Sequence, residues 1–342
     1  MTVAGPQLTT VADDEAVVHD GLLVDRWRGL DPDTDYSFGP FSFRTLPRPG
    51  GERLATVATV NDVHFGEEVA GLIEGTDIGP VFRSEPDEDP YPEVMNRGAV
   101  GEITAARPDA VVVKGDLTAD GTRQQFEAFL ATYRGAFGDR LHWVRGNHDV
   151  TTGADPVEDG APYAVDVPGA RLAVVDTTIP GRPTGRVTAG TLDWLDTVAA
   201  ESDRPVLVFG HHHPWSPDSP KREAGYFGIN PEDSEALVAV VARRPAIVGY
   251  FAGHTHRNRV RRFRSTGEVP WVEVACVKDY PGSWAEYRVF EGGILQVHRR
   301  ISTPEALRWS ERTKAMYAGL YQEYAFGRLE DRCFLFGRRD GA

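Results

Sequence analysis

The chain has 342 residues, 41% of them hydrophobic, and a formal net charge of −14. That suits one large globular domain with a small appendage, no apolar run approaches the eighteen or so residues of a membrane span, and the acidic balance disfavours grip on a long nucleic-acid backbone. Residues 1–13 lack a basic start and an apolar core, so no signal peptide is expected, and two cysteines, Cys276 and Cys333, give no disulfide framework, which favours a reducing cytoplasm.

From the N-terminus, 14–47 reads as short strands (16–19, 22–27 and 41–46) around a turn at Asp31-Pro32-Asp33-Thr34, and 47–51 as a linker. A buried strand over 54–60 leads to Asp62-Val63-His64. The next stretch, 66–92, is too polar and Pro-rich to pack on its own and reads as a solvated loop. A strand over 110–113 ends at Gly115-Asp116, and a helix over 124–133 separates it from a strand over 141–144 that ends at Gly146-Asn147-His148-Asp149. A strand over 172–175 ends at Asp176, read as a loop-anchoring carboxylate. After a helix over 192–200, a strand over 206–209 runs into His211-His212-His213-Pro214.

The loop over 215–231 carries Tyr226-Phe227 and reads either as a lid or as a solvated connection; its aromatic pair could stack on a nucleobase or pack beneath the loop. A helix over 234–241 precedes a strand over 247–251 and the string Gly253-His254-Thr255-His256. Arginines from Arg257 to Arg264, alternating with Val260 and Phe263, suggest an edge strand with a solvated charged face. Closing strands are expected over 271–277 and 285–299, with a turn at Gly292-Gly293. A helix from Thr303-Pro304 through Tyr317 would cover the sheet or a partner subunit, so a homo-oligomer stays open.

Short β-branched runs alternating with helices imply α/β layers of mostly parallel strands, whose ligands gather at the strands' carboxyl ends. Five strings far apart in sequence can thus converge on one cleft. Seven of the ten histidines fall inside them, leaving only His19, His142 and His298 elsewhere. Mixed imidazole and carboxylate donors suit Mn, Fe or Zn better than an all-oxygen Mg or Ca cage, and no cysteine lies in a string to make a thiolate zinc site. Two carboxylates, Asp62 and Asp116, against two divalent ions leave a net positive centre that would attract a phosphate ester.

The five strings resemble the signature D-x-H, G-D, G-N-H-D/E, H, G-H-x-H of the calcineurin-like metallophosphoesterase superfamily, and within it bacterial class III cyclic nucleotide phosphodiesterases. The resemblance implies a layered α/β/β/α sandwich with a small N-terminal β appendage: 1–50 as appendage and linker, 51–301 as the catalytic domain, 302–342 as a helical extension. The phrase from Gly29 to Pro47 is similar to the closing strands of the fibronectin III-like domain of purple acid phosphatases. The superfamily resemblance also implies that Asp62, His64 and His256 hold one ion, that Asn147, His212 and His254 hold the other, and that Asp116 bridges them. His212 is chosen because it stands two places before Pro214, with His211 and His213 pointing to the other side of an extended chain. His148 would protonate the leaving oxygen, oriented by Asp149 or Asp116.

Purple acid phosphatases carry Tyr three residues after the second-motif Asp; here that position is Ala119, which argues against a tyrosinate–iron centre. The expected activity is hydrolysis of small phosphodiesters, 3′,5′-cyclic nucleotides among them, by a hydroxide between the ions. A phosphomonoesterase, a nuclease and a non-catalytic metal-binding module are the alternatives; His148, which a pure scaffold would not need, favours the enzyme.

Overall fold

A computed structural model describes residues 5–73, 75–151, 156–157, 160–223 and 225–337. Its frame is a pair of six-stranded sheets. One runs edge to edge through Phe334–Phe336, Gly293–Arg300, Ser283–Phe290, Arg53–Val60, Ala110–Lys114 and Leu141–Val144; the last three are parallel, the others antiparallel. The other runs through Arg259–Arg261, Trp271–Glu273, Ile247–Ala252, Val206–Phe209, Ala170–Val174 and Tyr163–Val167, with four parallel strands between two antiparallel edges.

Alternation along the strands sorts their side chains into layers. Val57, Ala110 and Val112 of the first sheet meet Leu172, Leu207, Phe209 and Phe251 of the second in a core between the sheets. Their neighbours Ala58, Val111 and Val113 face outward onto Met95, Ile103 and Phe129, from helices Tyr91–Ala106 and Arg123–Phe137. On the far side Val206, Val208 and Ala173 pack against Leu195 and Leu237, from helices Ala189–Ala200 and Pro231–Arg243. This is the α/β/β/α sandwich expected from the sequence. Among the described residues no helix is long and apolar enough to cross a membrane.

The N-terminal residues form a three-stranded antiparallel sheet, Gln7–Val11, Glu15–Asp20 and Leu23–Arg28, and a hairpin, Asp35–Phe38 with Phe41–Arg44. They dock on the first large sheet: Thr10 Oγ1 donates to the His298 carbonyl at 2.7 Å, and the Arg288 guanidinium reaches Asp13, Asp14 and Glu15. The segment after residue 302 contributes helix Pro304–Thr313, capped by Thr303, and also the edge strand Phe334–Phe336. It is therefore not helical throughout.

Glu286 lies beside this junction and receives Arg53 at 2.8 Å, Arg288 at 3.0 Å and Arg299 at 2.5 Å. Burial alone would raise its pKa, but Arg299, Arg288 and Arg53 outweigh it and hold the carboxyl at about 2. The folded value is below the unfolded one, so this stabilisation is complete above about pH 4.5 and is lost as pH falls toward 2. We expect metal-free protein to lose on the order of 3 kcal/mol across that window through this group. Urea unfolding at pH 7 and pH 3 checks it: Glu286→Gln should flatten the pH dependence, and an unchanged slope would refute the assignment.

Candidate metal centre

Each of the five strings begins where a parallel strand ends, so their side chains meet at one end of the paired sheets. The loops are tied to one another by backbone: Asp62 N donates to Gly115 O, and Val63 N and His64 N both donate to Asp116 O, each at 3.0 Å. Asp62, His64, Asp116, His254 and His256 adopt left-handed backbone, with φ between +46° and +67°. Side-chain-bearing residues occupy that region at a cost of order 1–3 kcal/mol each, and such strain persists where surrounding structure enforces it, often at functional sites. Five of the seven residues expected to bind metal carry it. Two motif glycines answer close approaches. A Cβ on Gly146 would collide with the Asp116 backbone nitrogen and carboxylate, and one on Gly115, at φ +83°, with the His211 ring.

The donors fall into two groups, each with its atoms within 4.8 Å of one another: Asp62, His64, Asp116 and His256, and His211, His212 and His254. In the first, His256 Nε2 lies 3.3 Å from Asp62 Oδ1 and His64 Nε2 lies 3.4 Å from Asp116 Oδ2. The same Asp116 oxygen is 3.3 Å from His211 Nε2, which is also 3.1 Å from Asn147 Oδ1. Asp116 thus stands between the groups. Asn147 joins the second through its carboxamide.

His211 departs from the sequence expectation. It was expected to face away, yet it is the imidazole that meets Asp116 and Asn147. The strand stops at Phe209, so two-residue alternation does not carry through the bend at 211–213. His212 also turns into the second group, with Nδ1 2.8 Å from Thr177 Oγ1. His213 is buried beside Tyr226, ring centroids 5.2 Å apart.

The buried ring nitrogens His64 Nδ1 and Nε2, His212 Nε2 and His254 Nε2 have no hydrogen-bond partner. An unsatisfied buried polar atom costs about 1–3 kcal/mol, so a cluster of them is a poor arrangement for a protein interior and a good one for cations. The residues present fit a pair of divalent transition metals. Without metal, the imidazoles compensate the carboxylates. Burial would raise Asp116, but the His211 and His148 rings, with the close approach of His64, hold it well below the usual carboxylate range. Burial would likewise lower His211, and Asp116 lifts it to about 9.

Behind the donors lies an outer layer. Asp149 accepts from Gly146 N at 2.7 Å, Leu117 N at 3.1 Å, and Thr118 N and Oγ1 at 2.8 and 2.7 Å. Those bonds clamp the loop carrying Asp116 to the turn carrying Asn147. They consume the carboxylate, so Asp149 does not orient the His148 ring as expected. The Ala119 carbonyl does, at 2.7 Å from His148 Nδ1, while the His148 backbone N–H donates to Asp116 Oδ1 at 2.9 Å. The His148 and His64 ring centroids are 4.6 Å apart, so His148 adjoins the first group.

Sequence reasoning did not find Glu67 or Lys278. Glu67 Oε1 is 3.8 Å from His64 Nδ1, and its other oxygen takes Lys278 at 2.8 Å and Tyr91 Oη at 2.5 Å. Lys278 also pairs with Asp279 at 3.0 Å, whose carboxylate lies near His256. Glu67 could have been suspected from its place three residues after His64; nothing in the sequence marks a lysine 211 positions further on.

A family model described as calcineurin-like phosphoesterase matches residues 55–258. The chain is 31% identical over 224 residues to the glycerophosphodiester phosphodiesterase GpdQ of Enterobacter lignolyticus, covering 61% of this chain and 73% of that protein. It is 28% identical over 185 residues to the 3′,5′-cyclic adenosine monophosphate phosphodiesterase CpdA of Pseudomonas aeruginosa, covering 52% and 64%. Two solved structures share the fold. A dimetal phosphatase from Danio rerio superposes with a TM-score of 0.53 at 18% identity, over 73% of this chain and 98% of that one. A purple acid phosphatase from yellow lupin seeds does so with 0.50 at 13% identity, over 88% and 73%.

Proposed function

We propose that this chain, which belongs to the calcineurin-like phosphoesterase family, hydrolyses small phosphodiesters at a centre of two divalent metal ions. That it is a metal-dependent phosphoric ester hydrolase follows from its family and its phosphodiesterase relatives. The finer reading rests on one observation: Asp116 Oδ2 stands within 3.4 Å of an imidazole nitrogen from each donor group. Asp62, His64 and His256 are assigned to one ion, Asn147, His212 and His254 to the other, and Asp116 to both. His212 holds that place because its buried Nε2 has no hydrogen-bond partner while its Nδ1 lies against Thr177 Oγ1; His211, whose ring nitrogens already meet Lys114 O and Asn147 Oδ1, positions Asp116 and Asn147. Manganese, iron and zinc suit these donors.

Two divalent ions held there supply Lewis acidity toward a phosphoryl oxygen and lower the pKa of bound water. The chain supplies the rest. Glu67 and Asp149 fix the residues around the centre, and Ala119 O holds His148 at Nδ1. In the imidazolium form His148 then has its Nε2 proton free for the departing alkoxide, and after transfer the ring keeps its Nδ1 proton on the carbonyl. A singly charged diester suits a centre of modest positive charge. The relatives that act on glycerophosphodiesters and cyclic AMP support a diester over a monoester. Residues 1–50 are read as an appendage, 51–301 as the catalytic unit and 302–342 as an extension. The two buried free thiols, Cys276 and Cys333, support a cytoplasmic setting.

The experiment is metal analysis with kinetics. Purified protein should hold close to two transition-metal equivalents. Chelation should abolish hydrolysis of bis(p-nitrophenyl) phosphate, and added Mn²⁺ should restore it. Full activity in metal-stripped protein would overturn the reading. A kcat/KM for p-nitrophenyl phosphate tenfold or more above that for the diester would replace it with a phosphomonoesterase.

A further inference from the structure

We propose that Phe227 is a specificity-determining residue: its ring forms one wall of a subsite for a planar organic group of the substrate, a nucleoside or aryl ester rather than a glycerol ester. The inference rests on the phosphodiesterase reading and adds the chemistry of the ester group.

Phe227 is a large apolar side chain left 53% exposed. Its ring lies on the imidazole of His254, with centroids 4.1 Å apart and planes 28° from parallel. It is therefore one ring removed from the second donor group. One face is occupied by His254, and the exposure leaves the remainder of the ring to solvent.

The loop holds this ring in place. Gly185 N donates to Gly228 O at 2.8 Å, Ile229 N donates to His213 O at 2.9 Å, and Ile229 is fully buried. Gly228 packs so closely on the His213 carbonyl that a Cβ there would stand 2.5 Å from it. Tyr226, the neighbour, turns inward to His213. The two aromatics thus separate, one anchoring the loop and one presented at the mouth. A phosphoryl group drawn to the paired donor groups has His254 at its edge, and the ester group on that side meets Phe227. An aromatic face stacks on any planar ring and gains little from a flexible glycerol chain.

The test uses the metal-loaded full chain and the variants Phe227→Ala, Phe227→Leu and Phe227→Trp, each with metal content measured. Turnover of 3′,5′-cyclic AMP is compared with that of glycerophosphoethanolamine. In Phe227→Ala, kcat/KM for the cyclic nucleotide should fall at least tenfold more than for the glycerol ester, chiefly through KM. Phe227→Leu should resemble Phe227→Ala, and Phe227→Trp should restore the preference. Equal losses on both substrates, or none, would overturn the subsite. Should wild type hydrolyse neither diester, the phosphodiesterase reading fails, and calorimetric binding of adenosine 5′-monophosphate against inorganic phosphate still decides the subsite. A tenfold loss for the nucleotide alone upholds it; unchanged relative affinities overturn it.

Discussion

Replacing Asp116 with Asn is expected to weaken metal binding in both pockets at once and to abolish turnover. The carboxylate is fully buried, and a single oxygen lies 3.4 Å from His64 Nε2 and 3.3 Å from His211 Nε2. Its other oxygen receives the His148 backbone N–H at 2.9 Å, so the site also loses the charge that orders this turn. Losing an outer-shell partner costs a metal site about 10–100-fold in affinity or activity; loss of a shared donor should exceed that in each pocket. Titration with Mn²⁺, read by calorimetry and by activity, provides the measurement. Loss of one equivalent with the other intact would show that Asp116 serves a single ion. The matching variant Asp62→Asn should weaken mainly one pocket.

Replacing His148 with Ala is expected to lower kcat by about 10²–10⁴-fold, the usual contribution of positioned proton transfer, with two metal equivalents retained. No role as a ligand is assigned to this ring, which hangs from Ala119 O by Nδ1 at 2.7 Å. The loss should shrink for esters with good leaving groups such as p-nitrophenolate, which depart without a proton, and grow for alkyl esters. Steady-state kinetics across a series of leaving groups reads this directly. A uniform loss across the series, or loss of metal, would give His148 a structural part instead.

Those two residues were legible because the chemistry sits immediately after short apolar runs. Strands at 53–60, 110–114, 141–144, 206–209 and 247–252 differ from the sequence reading by a residue or less at either end. Residues just past a strand's end are harder to place. Alternation orients side chains only while the backbone stays extended, and at His211 it no longer does. Asp149 looked like a partner for His148 because the two are adjacent, but adjacent residues on a tight turn point apart. Helix Tyr91–Ala106 was not anticipated. Its start is hidden in the Pro-rich stretch, with Pro90 as the cap and Pro92 in the first turn, and Gly98 and Gly101 weaken its interior signal. Strands Gln7–Val11 and Tyr163–Val167 lie on sheet edges and are interrupted by polar residues, and the edge strand Phe334–Phe336 is only three residues long. The polar network around Glu67 and Lys278 depends on tertiary proximity alone. Arg257 and Arg261, read as part of a solvated face, instead turn toward the buried Glu273 at 2.9 and 3.5 Å.

The order of strands in the first large sheet bears on how the protein is made. Arg53–Val60 lies between Ala110–Lys114 and Ser283–Phe290, and the first residues of the latter and of Arg53–Val60 are 283 − 53 = 230 positions apart. A ribosome adding about 5–20 residues per second takes roughly 10–50 s to cover that interval. Throughout that time one edge of an apolar strand has no native neighbour, a state open to pairing with other chains. Asp62 and His64 wait nearly as long for His254 and His256. The complete donor set of the proposed metal centre is therefore assembled only late in synthesis or after it.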